Sequence, residues 1–138
     1  MALFAAAYED DTDDFNIRSL RAGDAPAMIT FLNAEVAAAL ANGEQNIVDL
    51  NLTGAASGLD WQCWLVTAPT VSIGGKTEFC PLSLARFACA VAGNPVEARE
   101  KLQAQLAVIV PEIVFKVEVA GAGDGPHYMA LALCAIGG

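Results

Sequence analysis

One histidine and four cysteines are the residues best suited to covalent chemistry in this 138-residue sequence. His127 follows Gly125-Pro126, and Cys63 or Cys89 is the thiol it would have to activate. Such a pair works only when the imidazole reaches the thiol within hydrogen-bond distance and a third group orients it. No spacing in the chain enforces that approach. Cys63, Cys80, Cys89 and Cys134 stand far apart without a C-x-x-C pair, which argues against zinc and reads as four reduced, mostly buried thiols. The glycines of Gly121-Ala122-Gly123-Asp124-Gly125 are those of a phosphate cradle. A cradle, however, leads from a strand into a helix N-terminus, and this run leads into another strand, so it reads as a hairpin turn. Asp60 beside Trp61 reads as the end of the preceding turn. Glu9, Asp10, Asp11, Asp13 and Asp14 lack the spaced Asp and Gly of a calcium loop, and form either a solvated loop or a patch for a basic partner. The expectation is therefore no catalytic residue, no cofactor, no metal, and a chain that is not an enzyme.

Composition narrows the partners. The net charge is −9 with only seven basic residues, which repels phosphate backbones and excludes a nucleic-acid partner. No apolar run approaches the length of a membrane span, and Met1-Ala2-Leu3-Phe4 with acid nearby does not read as a signal peptide. The expected setting is cytoplasmic, with the virion as the other. Hydrophobic residues make up 55% of the chain and mean hydropathy is +0.45. That is more apolar surface than a compact monomer needs, and an obligate subunit interface would absorb the excess.

Local patterns supply the elements. Residues 2–8, with Phe4 and Tyr8, form a strand or docked arm, and the alternation from Phe15 to Leu20 fits a short edge strand. Asp24 and Pro26 open a helix in which Met28, Phe31, Leu32, Val36, Ala39 and Leu40 recur at helical spacing until Asn42-Gly43. A hairpin follows, from Val48-Leu50-Leu52 through Gly54 and Gly58 to a return strand, Asp60 to Thr67. Trp61 and Trp64 on that strand point to opposite faces, one into the core and one toward an edge or partner. Residues 69–79 form a loop, or a loose extra strand around Val71 and Ile73, and a second helix follows, opened by Pro81, burying Leu84, Phe87, Ala88 and Val91 and closed by Gly93. Asn94-Pro95-Val96-Glu97 caps a third helix, with Val96, Arg99, Leu102, Leu106 and Ile109 along one stripe and Pro111 ending it. In the second hairpin Ile113, Phe115, Val117 and Val119 face inward, Lys116 and Glu118 outward. The last strand, Tyr128 to Ala135, is apolar on both faces, as a central strand or one covered by a neighbouring subunit would be.

The two hairpins are alike. Val48, Leu50, Leu52, Gly54-Ala55, Gly58 and Trp61 correspond to Phe115, Val117, Val119, Gly121-Ala122, Gly125 and Tyr128, each 67 positions later. The helices do not align at that offset. This order of elements predicts one α+β domain over 1–138 with an N-terminal arm (1–23). Its form is an antiparallel sheet of two hairpins with helices on one face, a ferredoxin-like sandwich with an added strand.

By element order, residues 24–136 resemble phage tail-terminator, or tail-completion, proteins. The features that carry the resemblance are the Asp24–Asn42 helix, the Val48–Thr67 hairpin with Leu52-Thr53-Gly54-Ala55 and Trp61-Gln62, the second helical region and a final hairpin. The N-terminal acidic arm and a helix broken at Gly93-Asn94-Pro95 depart from that pattern. The resemblance implies a small α+β subunit that assembles into a ring and transfers no functional residue. The expected function is a non-enzymatic assembly subunit forming a homo-oligomer, in a virion head-tail or tail component, with copies of itself and other particle subunits as partners. Phe4, Tyr8, Trp64, Tyr128, Met129 and Leu131 are the candidate interface residues. A small-molecule-binding or regulatory module, with its pocket near Trp64 or Tyr128, is the alternative.

Overall fold

Two matching strand-to-helix junctions organise the chain, Ala22-Gly23-Asp24 and Ala92-Gly93-Asn94, 70 positions apart. The computed structural model describes residues 15–54, 60–69, 79–121 and 127–137. Its elements are β1 (Asn16–Ala22), α1 (Ala25–Ala41), β2 (Asn46–Gly54), β3 (Trp61–Ala68), β4 (Cys80–Pro81), a 3-10 turn (Leu82–Leu84), β5 (Ala85–Ala92), α2 (Pro95–Ile109), β6 (Ile113–Gly121) and β7 (Tyr128–Ala135). The fold is α+β. Each helix starts where a short polar side chain takes an otherwise orphaned N–H. Ala27 N–H donates to Asp24 Oδ1 at 2.7 Å, and Glu97 N–H donates to Asn94 Oδ1 at 2.8 Å. Helix α1 stops at Asn42 because Gly43 takes φ +86°, a conformation that costs glycine little.

The strands divide into two antiparallel sheets, β1-β3-β2-β4 and β5-β7-β6, rather than one. The chain is thus a strand-helix-hairpin unit used twice, with the third strand of each unit between the other two. The match extends to detail. Both hairpins carry a bulge, at Val48 and at Phe115, and pair the glycine closing one arm with the aromatic opening the next, Gly54 with Trp61 and Gly121 with Tyr128. The helices fail to align at the hairpin offset because the second unit is three residues shorter between helix start and hairpin.

Three expectations are corrected. Residues 85–92 form strand β5, not a helix. Phe87, Cys89 and Val91 share one face with Leu133, Leu131 and Met129; Ala88, Ala90 and Ala92 share the other with Ala132, Ala130 and Tyr128. A strand covered on both faces is apolar throughout, so the period of two that marks a strand is erased. Asn16–Ala22 is an edge strand of the first sheet, in line with the alternation from Phe15 to Leu20, so an arm reaching to residue 23 is too long. In β6 the faces are reversed: Lys116, Glu118 and Ala120 lie on the inner face with Leu133, Leu131 and Met129, while Val117 and Val119 lie on the opposite face. The bulge at Phe115 adds a residue and so inverts the alternation.

The main core lies between the sheets. Met28, Leu32, Val36 and Ala39 of α1 join Leu50, Leu52, Trp61, Cys63 and Leu65 of the first sheet and Phe87, Cys89, Met129, Leu131 and Leu133 of the second. Helix α1 lies between β1 and β5, while α2 packs on the outer face of the second sheet, over β5 and β7. The two helices are therefore not on one common face. Under α2 the contact is small on small, Ala98 and Leu102 against Ala88, Ala92, Ala130 and Ala132. Exposed sheet edges invite foreign strands, and here side chains occupy them. Gln105 from α2 brackets Cys89 on the edge of β5, accepting from its N–H at 3.0 Å and donating to its C=O at 2.6 Å. On β2, the Leu52 N–H donates to Glu118 Oε1 at 3.1 Å.

Candidate assembly interface

The thiols that sequence reasoning considered for catalysis are all free and buried. Burial pushes Cys63 up to about 12, helped by Cys89 and Glu118; burial does the same to Cys80, helped by Cys134, and to Cys89, helped by Asp24. Cys134 is raised as well, by burial against the opposing pull of Arg86. A thiol in this state is a small hydrophobe, not a nucleophile. His127 is exposed. Among the described residues, no group of three His, Cys, Asp or Glu side chains is placed to hold a metal ion.

A cavity of about 150 Å³ opens where the two bulges meet. Val48 and Phe115 line it with Phe79, Cys80, Asp49 and Lys116. Lys116 Nζ donates to Asp49 Oδ1 at 2.6 Å across the junction of the two units. Pockets for small-molecule ligands run from about 300 Å³ upward, so this one suits a few heavy atoms at most.

A second cluster escaped sequence reasoning altogether. Glu44 is 3% exposed, and its carboxylate accepts from Asn16 Nδ2 at 3.0 Å, Arg18 Nη2 at 2.8 Å, Asn42 Nδ2 at 2.8 Å and the Thr67 hydroxyl. Arg18 also reaches Glu35 on α1 at 3.3 Å. Burial pushes the Glu44 carboxyl up, but those hydrogen bonds and the guanidinium outweigh it and hold it below the ordinary 4.5. The group ties β1, β3 and the α1–β2 connection together. Its only signal in the sequence was a glutamate one residue after Asn42-Gly43.

Most of the exposed large apolar side chains fall into two areas, while Phe31 and Leu40 on α1 and Val96 at the start of α2 are exposed elsewhere. On the helix-free face of the first sheet, Trp64 is 51% and Ile17 59% exposed. They are surrounded by Ser19, Asn51, Thr53 and Gln62 on the same face. Along β6, Val117 is 50% and Val119 47% exposed beside α2, with Val108, Val110, Ile113 and Val114 also exposed around the α2–β6 connection. Of the candidate interface residues, Trp64 is on the surface. Tyr128 is half-buried against α2. Met129 and Leu131 are fully buried within the chain, because β7 is a central strand whose inner face meets α1 and the first sheet. They offer no surface to another subunit. Phe4 and Tyr8, the acidic run from Glu9 to Asp14, the extra strand around Val71 and Ile73, and the glycine run from Ala122 to Gly125 lie outside the described residues.

Among the described residues no helix is long and apolar enough to cross a membrane. Compared with protein-family models, curated proteins and solved structures, the chain matches none.

Proposed function

We propose that this chain is a non-enzymatic assembly subunit that works as a homo-oligomer. The observation that carries the proposal is the paired exposure of apolar side chains on two separate flanks, Trp64 with Ile17 and Val117 with Val119, each flank at least as large-featured as a single scattered hydrophobe. Contiguous exposed apolar residues rimmed by polar ones mark interaction surfaces, and a buried tryptophan anchor is the commonest source of contact energy in them. The groups that would serve catalysis point the other way, since three thiols are held near 12. The tail-terminator resemblance of residues 24–136 supports a virion as the particle, with other particle subunits as neighbours. Sedimentation velocity over roughly a hundred-fold dilution in the micromolar range tests the reading. Species larger than a monomer that persist on dilution are expected, and a monomer throughout refutes it. For the particle assignment, the chain is expected in purified virions of the phage that encodes it.

The cavity between the bulges favours a second reading, a module that senses a very small ligand at Asp49 and Lys116. Binding there would raise Tm by mass action, so a thermal-shift screen against a metabolite panel tests it. A Tm that stays constant across the panel would refute that alternative.

A further inference from the structure

We infer that copies of this chain join head to tail, the β6 flank of the second unit on one copy docking on the open face of the first unit on the next. The inference rests on the self-assembly reading and specifies its geometry. The template is inside the chain. Leu50 and Leu52 of the first unit are 0% and 5% exposed, in one buried cluster with α1 and with Phe87, Leu131 and Leu133 from the inner face of the second sheet, and Glu118 of β6 accepts the Leu52 N–H at the rim. Both halves of that interface have a counterpart left over. At the 67-residue offset, Leu50 and Leu52 become Val117 and Val119, which are half exposed. At the same offset Leu131 becomes Trp64, which is 51% exposed, and at the 70-residue offset of the leading strands Phe87 becomes Ile17, which is 59% exposed; the counterpart of Leu133, Val66, is already buried within the chain.

The leftover halves are different surfaces on different units, so the contact between copies is heterologous and generates a ring or a filament, not a two-fold dimer. Stacked repeats that end in solution carry polar outer faces on their terminal units. Here the terminal unit instead presents valines where its neighbour presents buried leucines. The polar rim carries over as well. In the chain Glu118 accepts the Leu52 N–H; the corresponding pair between copies is Asn51 and the Val119 N–H. Trp64 would fill the place of Leu131, an aromatic anchor inside a polar surround.

The test uses two blocked variants of the full chain, Val117→Lys with Val119→Lys on the flank and Trp64→Lys with Ile17→Lys on the open face. All four positions are about half exposed, so far-ultraviolet circular dichroism and a cooperative thermal transition should stay native in both. A milder Trp64→Ser chain, expected to weaken association on the order of thirty-fold or more, covers the case in which a lysine variant fails to fold. Native mass spectrometry of each blocked variant alone should show monomer. Mixed one to one, they should give a discrete heterodimer and nothing larger, because one intact flank meets one intact open face. Wild-type oligomers with no heterodimer on mixing, or with only one variant disrupting them, overturn the head-to-tail geometry but leave self-assembly standing. A monomeric wild type removes both.

Discussion

Replacing Glu44 with glutamine should destabilise the fold and flatten its response to acid. The carboxylate accepts from four side chains, and Arg18, whose side chain is 16% exposed, sits against it at 2.8 Å. Removing one member of a buried pair typically costs about 3–5 kcal/mol because the remaining charge is left without its partner. Arg18 keeps Glu35 at 3.3 Å and donates to Thr67 Oγ1 at 3.1 Å, which places the expected loss near the lower end, about 3 kcal/mol. For a chain of this length that lowers Tm by roughly 10 °C. The pH dependence separates charge from packing. The folded-state pKa of Glu44 lies below its unfolded value of 4.5, so its contribution is complete above 4.5 and is lost as pH falls through the folded value. Urea titrations at neutral pH and at steps below 4.5 should therefore show the gap between wild type and Glu44→Gln narrowing as acid is added. A gap of under about 1 kcal/mol at neutral pH would refute the reasoning. So would a gap that stays constant into acid.

Two further outcomes follow from burial and backbone. With three thiols near 12, about one in ten thousand is ionised at pH 8, so all four cysteines should resist alkylation in the native state and label together on unfolding; rapid labelling of a single cysteine in folded protein would contradict this. Val110 ends α2 at φ 52° and is 74% exposed, a left-handed conformation that costs a β-branched residue about 1–2 kcal/mol. Val110→Gly should raise Tm by a few degrees, measured at concentrations too low for association, and a lower Tm would show that the valine side chain contributes more than the strain removes.

What was legible in the sequence had local causes. Asp24 and Asn94 identify helix starts because capping is a matter of three consecutive residues. Gly43 marks a helix end for the same reason. The two tryptophans were separable because a strand alternates: Trp61 is 1% exposed and Trp64 51%. Illegible features depend on what lies across space. Strand β5 hid its period because α2 covers its alanine face and α1 with the first sheet covers the other, so the six-residue apolar run from Phe87 to Ala92 fits a helix equally well. In β6 a single bulged residue inverted the assignment of Lys116, Glu118, Val117 and Val119. Nothing local marks a bulge at Phe115, which becomes visible only when its register against β7 is known.

That inversion also decides where the proposed assembly surface lies. With Val117 and Val119 inward, the second hairpin would be a closed core and the doubly apolar β7 would be the strand needing a neighbour. With the bulge in place β7 is satisfied inside the chain, and the need passes to β6 and to the open face around Trp64. The first unit shows what satisfies it, since Leu50 and Leu52 are the same positions with a cover in place. The hairpin repeat therefore does more than describe descent or convenience of folding. Because the second unit packs on the first while Val117 and Val119 stay half exposed among the described residues, the proposed head-to-tail contact is the one in which a second copy supplies the cover that Leu50 and Leu52 already have.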